Sequence, residues 1–186
     1  PGLYFGEYFG NPNKGYVKIF RRKNSGGWDA IYTFGQGEIN HIHNIVEDSY
    51  RNCIWILTGD FDNSAGIWRT DDNFKTVYPI LLGSQQYRSC VAFAEPVGLV
   101  YATDSQFEKN YIRILTKDNN FWTSTPILQI NGSCIYGCRV KKFLVFSTST
   151  EPGKSLGRAR KWFDGKPGPG ILKNESHLIV GNLESG

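Results

Sequence analysis

Tyr111-Ile112-Arg113-Ile114-Leu115 runs into Thr116-Lys117-Asp118-Asn119-Asn120 and then Phe121-Trp122: an alternating stretch, a polar turn and the head of a second stretch. The same order occurs twice upstream. Gly66-Ile67-Trp68-Arg69 leads into Thr70-Asp71-Asp72-Asn73-Phe74-Lys75-Thr76, and Gly15-Tyr16-Val17-Lys18-Ile19-Phe20 leads into Arg22-Lys23-Asn24-Ser25-Gly26-Gly27-Trp28. Asn24, Asp72 and Asp118 correspond, at spacings of 48 and 46 residues. Alternation of apolar and polar residues signals half-buried strands, and Asx/Gly clusters between them signal turns. Each copy thus predicts a hairpin whose second strand is headed by Trp28, Thr76 or Trp122.

Working outward, the stretch before each hairpin also recurs: Leu3 to Tyr8, Ile54 to Asp60, Leu99 to Asp104 and Phe143 to Thr148. Three of these are preceded by one more apolar stretch, Ile39 to Val46, Arg88 to Ala94 and Cys134 to Val140. The unit is four short strands, A to D, in about 47 residues, and four antiparallel strands at that period predict the blade of a β-propeller. The predicted class is all-β, with blades over about 1–36, 37–82, 83–128 and 129–186 in a single domain or segment. The first blade lacks its A strand and the last, ending at His177-Leu178-Ile179-Val180, lacks its D strand. The propeller is therefore expected to be incomplete, and its open edges are expected to favour self-association, since unpaired strands recruit partners.

Composition agrees with strands. Aromatic residues make up 15% of the 186, apolar residues 40%, and Gly 21 with Pro 8 supply turns. No apolar run reaches membrane-spanning length. The net charge of +4 is mild for a nucleic-acid binder, and all of it resides in one segment: residues 151–173 carry Lys154, Arg158, Arg160, Lys161, Lys166 and Lys173 against Glu151 and Asp164. The glycines between Gly165 and Gly170 are interrupted by prolines and form no phosphate loop. No nucleic-acid, membrane or nucleotide partner is expected. Cys53, Cys90, Cys134 and Cys138 lack metal-ligand spacing and read as single thiols in strands.

The turn at Asn24, Asp72 and Asp118 resembles a degenerate Asp-box, with no copy meeting the full pattern. The order Gly6-Glu7-Tyr8, His41-Ile42-His43-Asn44, Thr58-Gly59-Asp60, Gln85-Gln86-Tyr87-Arg88 and Thr103-Asp104-Ser105 resembles a group of prokaryotic glycosyl-hydrolase-like proteins of the sialidase-like, Asp-box (BNR-repeat) propellers. The resemblance covers nearly the whole chain. It implies a carbohydrate-active propeller.

In a propeller the D-to-A and B-to-C connections share one face and the Asp-boxes lie on the other. The first face is then expected to gather Glu7, His41, His43, Asp60, Arg88 and Asp104 as candidate catalytic residues. Tyr8, Gln85, Tyr87, Ser105, Glu108 and Asn110 are expected around them for substrate binding, with Arg158 and Arg160 from the basic loop. Convergent acids, imidazoles, an arginine and aromatics in a cleft define a candidate site. Three chemistries compete. Glycoside hydrolysis would pair Glu7, Asp60, Asp104 or Glu108 as acid and base or nucleophile. A lyase would use His41 or His43 as base, Arg88 to neutralise a uronate carboxylate and Tyr8 or Tyr87 as acid. A metal site would use His41 and His43 with Asp60 or Glu7. Alternate side chains of a strand share a face, which places the two histidines about 7 Å apart; they are expected to be ordinary hydrogen-bonding residues, with no metal or cofactor. A sialidase would need an arginine cluster for the sugar carboxylate, for which this chain offers Arg88, with Arg158 and Arg160 from the loop, so sialidase activity itself is not expected. Exposed aromatics for stacking on sugars are sought among Tyr8, Phe9, Tyr87, Phe107 and Trp162. The leading expectation is a propeller that binds or cleaves an anionic polysaccharide; the alternatives are a lyase and a non-catalytic glycan- or protein-binding module.

Overall fold

A computed structural model of the chain describes residues 2–150 and 167–183. The fold is all-β. The strands in chain order are β1 (Tyr4–Gly6), β2 (Val17–Arg22), β3 (Trp28–Phe34), β4 (His41–Asp48), β5 (Cys53–Gly59), β6 (Gly66–Thr70), β7 (Tyr78–Leu82), β8 (Ser89–Glu95), β9 (Gly98–Thr103), β10 (Asn110–Asp118), β11 (Phe121–Ile130), β12 (Ser133–Val140), β13 (Phe143–Ser149) and β14 (Leu178–Gly181). They form four antiparallel sheets in the orders β1-β2-β3, β4-β5-β6-β7, β8-β9-β10-β11 and β12-β13-β14. Each strand therefore pairs with its neighbour in sequence, as the repeat predicts.

The chain separates into two compact units, Pro1–Ser89 with Ala94–Val97, and Cys90–Phe93 with Gly98–Gly186. In unit 1 the core is Val17, Ile19, Phe34, Ile39, Ile42, Ile56, Trp68 and Phe74. In unit 2 it is Val91, Val100, Ala102, Ile112, Ile130, Cys134, Leu144 and Phe146. Strands β5 and β9, inner members of their sheets, are buried almost throughout, which is why they read as continuous apolar runs.

The three corresponding turns share one backbone signature. Gly26 and Gly27, Asn73 and Phe74, and Asn119 and Asn120 are pairs of successive residues at positive φ. Between the paired residues Asp118 and Phe121 the two left-handed residues give a tight reversal whose twist matches the flanking strands, while the other two pairs lie in longer connections; Gly and Asn tolerate this region best. Phe74 accepts the strain because its ring is buried in the unit 1 core. In that turn Asp72 accepts the backbone N–H of Thr76 at 2.9 Å and its hydroxyl at 2.7 Å.

Some predicted edges move. Strand β7 begins at Tyr78 rather than Thr76, because Asp72 holds Thr76 in the turn. Strand β4 begins at His41, and Gln85–Tyr87 is a 3₁₀ turn that ends on Arg88 ahead of β8. The basic segment falls largely on 151–166, outside the described residues, as do Arg158, Arg160 and Trp162.

Candidate functional site

His41 opens β4. The ladder between β4 and β5 shifts between Ile42 and Asn44, so His43 is the extra residue of a β-bulge. A bulge bends its strand and re-aims a side chain. Here it overturns the separation of about 7 Å expected of a regular strand: the imidazole centroids lie 4.9 Å apart and the two Nε2 atoms 3.0 Å apart. Gly59 pairs with His41 in the ladder and leaves room for the second ring. A Cβ there would overlap Cε1 and Nε2 of His43.

Asp60 follows immediately after β5. Its Oδ1 is 3.1 Å from His43 Nε2, 3.4 Å from His41 Nε2 and 3.2 Å from Arg88 Nη2. Gln85 donates through Nε2 to the Asp60 carbonyl at 2.8 Å and so anchors the loop. The side chains of His43, His41 and Arg88 are 1%, 7% and 9% exposed, against 25% for Asp60, which is the open face of the group.

The far nitrogen of each ring decides the protonation pattern. His41 Nδ1 lies 3.2 Å from the Phe9 carbonyl, and His43 Nδ1 lies 3.1 Å from the Ser89 carbonyl. A carbonyl only accepts, so each Nδ1 carries a proton and donates it. Both Nε2 atoms then point inward, at one another and at a carboxylate oxygen, so that an Nε2–H there donates to Asp60 and an Nε2 without a proton presents a lone pair. Burial works to raise the Asp60 pKa. Hydrogen bonding to His41 and His43 and the Arg88 charge outweigh it and hold the carboxyl well below the usual carboxylate range. Asp60 is thus an ionised acceptor and not a proton donor.

Aromatic rings border the group. Tyr8, 70% exposed, has its ring centroid 4.3 Å from that of His41. Phe9 and Phe61 are exposed too, and the Phe61 ring lies 5.7 Å from the Arg88 guanidinium carbon. A cleft of about 280 Å³, lined in part by Tyr8, His43 and Asn44, opens beside β1 and β4.

Of the six candidate catalytic residues, His41, His43, Asp60 and Arg88 come together. Tyr8 and Gln85 join them, and Tyr87 sits in the adjoining 3₁₀ turn. Glu7 turns back onto its own sheet: Oε2 accepts the Lys18 N–H at 2.7 Å, and its carbonyl accepts that of Ile42 at 3.0 Å. Asp104, Ser105, Glu108 and Asn110 belong to unit 2. There Asp104 is buried and accepts from the Cys90 thiol at 3.3 Å. Ser105 and Asn110 are fully buried and hold their own loop: Asn110 accepts from Thr103 and the Ser105 N–H and donates to the Ser105 and Gly170 carbonyls. Their side chains turn inward, and the substrate-facing role expected of them is replaced by a loop-building one. Ser105 also caps the N–H groups of Phe107 and Glu108.

Sequence reasoning missed Gly59 and Phe61. Both flank Asp60, and the signal available was their place in the same Thr58-Gly59-Asp60-Phe61 run. It also missed Asp48, a buried carboxylate that accepts from Trp55 Nε1 at 2.9 Å and Arg51 at 2.8 Å. Compared with family models, with curated proteins and with solved structures, the chain gave no match. Function is therefore read from the geometry of the site.

Proposed function

We propose that the chain is a carbohydrate-active β-propeller segment that binds an anionic polysaccharide, and that the Asp60 cluster of unit 1 receives the acidic sugar. The sheet memberships of three, four, four and three sequence-adjacent strands support the propeller part of this reading. The observation that carries the functional part is the ring of exposed aromatics on a polar floor. Tyr8 and Phe61 each place a ring against a member of the group formed by His41, His43, Asp60 and Arg88, and the exposed Phe9 touches His41 through its backbone carbonyl. Flat aromatic faces offer apolar contact to the C–H face of a sugar ring, and a few buried polar groups beneath them fix orientation. A guanidinium at that floor holds a carboxylate or sulfate bidentately, which a flexible loop lysine does not.

Elimination is the second reading, ahead of hydrolysis. Asp60 is held ionised by its neighbours and Glu7 caps Lys18, so this group supplies no acid–base carboxylate pair. Tyr8 is the exposed proton-carrying side chain beside it.

The test is calorimetric titration of the full chain with oligouronates and with neutral oligosaccharides of matched length. Acidic ligands should bind at least about tenfold more tightly at low salt, and the margin should shrink as salt screens the charges. Arg88→Ala should remove most of the difference. Equal affinity for neutral and acidic ligands, or none for either, would reject the proposal. Release of unsaturated uronate product would establish elimination.

A further inference from the structure

We propose that His41, His43 and Asp60 form a binding site for one first-row divalent metal ion, with Zn²⁺ the best suited. The proposal stands on geometry and does not rest on the carbohydrate reading. The three ligand atoms, Nε2, Nε2 and Oδ1, are separated by 3.0, 3.1 and 3.4 Å. Ligands bonded at about 2.1 Å to one ion lie about 3.0 Å apart when octahedral neighbours and about 3.4 Å apart in a tetrahedron. All three edges of the triangle fall on or between those limits, so one ion reaches all three atoms without rearrangement.

The tautomers fit as well. A ligating imidazole needs an unprotonated nitrogen toward the metal and commonly donates its other N–H to a carbonyl or carboxylate, which fixes the ring. Both rings donate the other N–H in that way, to the Phe9 and Ser89 carbonyls. The same contacts turn both Nε2 atoms toward one another and toward the carboxylate, so that a metal ion takes the place of any proton held between them. Two imidazoles with one carboxylate suit zinc and the later first-row ions better than calcium or magnesium, which prefer an all-oxygen shell.

Arg88 sets the consequence. It contacts the same Asp60 Oδ1 at 3.2 Å, so it competes for that oxygen and adds a positive charge beside the ion. Asp60 and Arg88 cancel, and the loaded group carries a net charge of about +2 with coordination positions left over beyond three protein ligands. An anionic ligand, whether carboxylate or sulfate, would complete the shell. A regular strand would hold the two rings too far apart to share an ion; the bulge at His43, which the sequence does not display, brings them together.

The test is Zn²⁺ titration of the metal-stripped full chain carrying Cys138→Ser, so that the exposed thiol does not compete. About one ion should bind per chain, with affinity reduced on the order of 100-fold in His41→Gln and in His43→Gln, and unchanged in His177→Ala. Circular dichroism verifies that each variant is folded. Co²⁺ on the same otherwise unaltered protein should give ligand-field bands of a nitrogen–oxygen shell without thiolate charge transfer, a readout that needs no site variant. Binding that persists in the folded glutamine variants, a thiolate band, or no stoichiometric uptake of Zn²⁺ or Co²⁺ would overturn the proposal.

Discussion

Replacing Asp48 by alanine should destabilise unit 1 by about 3–5 kcal/mol, the range for removing one partner of a buried charge pair. The carboxylate is fully buried at the end of β4 and joins four donors. Oδ2 accepts from Arg51 Nη1 at 2.8 Å and from Trp55 Nε1 at 2.9 Å, and Oδ1 accepts the N–H groups of Tyr50 and Arg51, both at 3.1 Å. Arg51 in turn donates to the Glu95 and Pro96 carbonyls. The loss divides unevenly. Trp55 is 0% exposed, so its indole N–H has no route to water and is left unsatisfied, at about 1–3 kcal/mol. The turn N–H groups lie beside exposed Tyr50, where water replaces the carboxylate. The guanidinium keeps its carbonyls but loses its counter-charge, at about 1.5–3 kcal/mol for a charged hydrogen bond.

Urea unfolding followed by tryptophan fluorescence reads this directly. With a slope of about 2 kcal/mol per molar, the midpoint should fall by about 2 M without a change in slope. Asp48→Asn keeps one acceptor oxygen but turns an amide donor toward one of the present donors, so it should cost less than alanine. A loss below about 1 kcal/mol for Asp48→Ala would refute the claim that this carboxylate organises the β4–β5 turn.

Two further outcomes follow from particular contacts. Gly59→Ala places a methyl group in the space of the His43 ring, which is 1% exposed and has nowhere to move; it should cost about 1–3 kcal/mol, as overpacking does, and His43→Ala in the same chain should recover part of that loss in thermal melts. Asp72 has its pKa lowered by the Thr76 backbone N–H and then the Thr76 hydroxyl; because the folded value is the lower one, its contribution is present above the unfolded pKa of about 3.9 and lost as pH falls through the folded value. Asp72→Asn should therefore flatten the acid limb of a stability–pH curve below about pH 4, and an unchanged limb would remove Asp72 from that account.

The repeat was legible because each copy combines period-two alternation with an Asx/Gly turn, and both are local properties of the chain. Strand membership follows, since neighbours in sequence pair. The site was legible only as a set of strand ends. His41, His43, Asp60 and Arg88 could be grouped because repeat units place equivalent positions together, yet nothing local distinguishes His43 in a bulge from His43 in a regular ladder. The same bulge recurs two repeat lengths later, between Cys134 and Tyr136 of β12, where no histidine marks it. Ser105 and Asn110 misled for the converse reason. They occupy a loop that a repeat comparison assigns to the ligand side, but their hydrogen bonds close the loop on itself and on Gly170, sixty residues away from Asn110 in sequence. Asp48 was passed over because an acid beside Ser49 reads as a solvated turn, and the indole that buries it arrives seven residues later.

The cost of building the site argues for its use. The bulge at His43 interrupts a ladder that would otherwise run regularly from His41 to Asp48. A glycine inside a strand loses packing and adds unfolded-state entropy, and Gly59 is tolerated because the His43 ring occupies the place of its side chain. Two imidazoles and a guanidinium are buried around a carboxylate that apolar residues of similar volume could replace with little loss of stability or with a gain. Three departures from what a stable sheet favours thus meet within a few residues of Asp60, while the neighbouring positions Ile42, Ile56 and Trp68 obey the ordinary rules and fill the core. Departures of this kind are expected at functional sites, where local stability is given up for chemistry. Stability alone accounts for Asp48, whose partners are a tryptophan and a turn; it does not account for two imidazole nitrogens and a carboxylate aimed at one point beneath an exposed tyrosine.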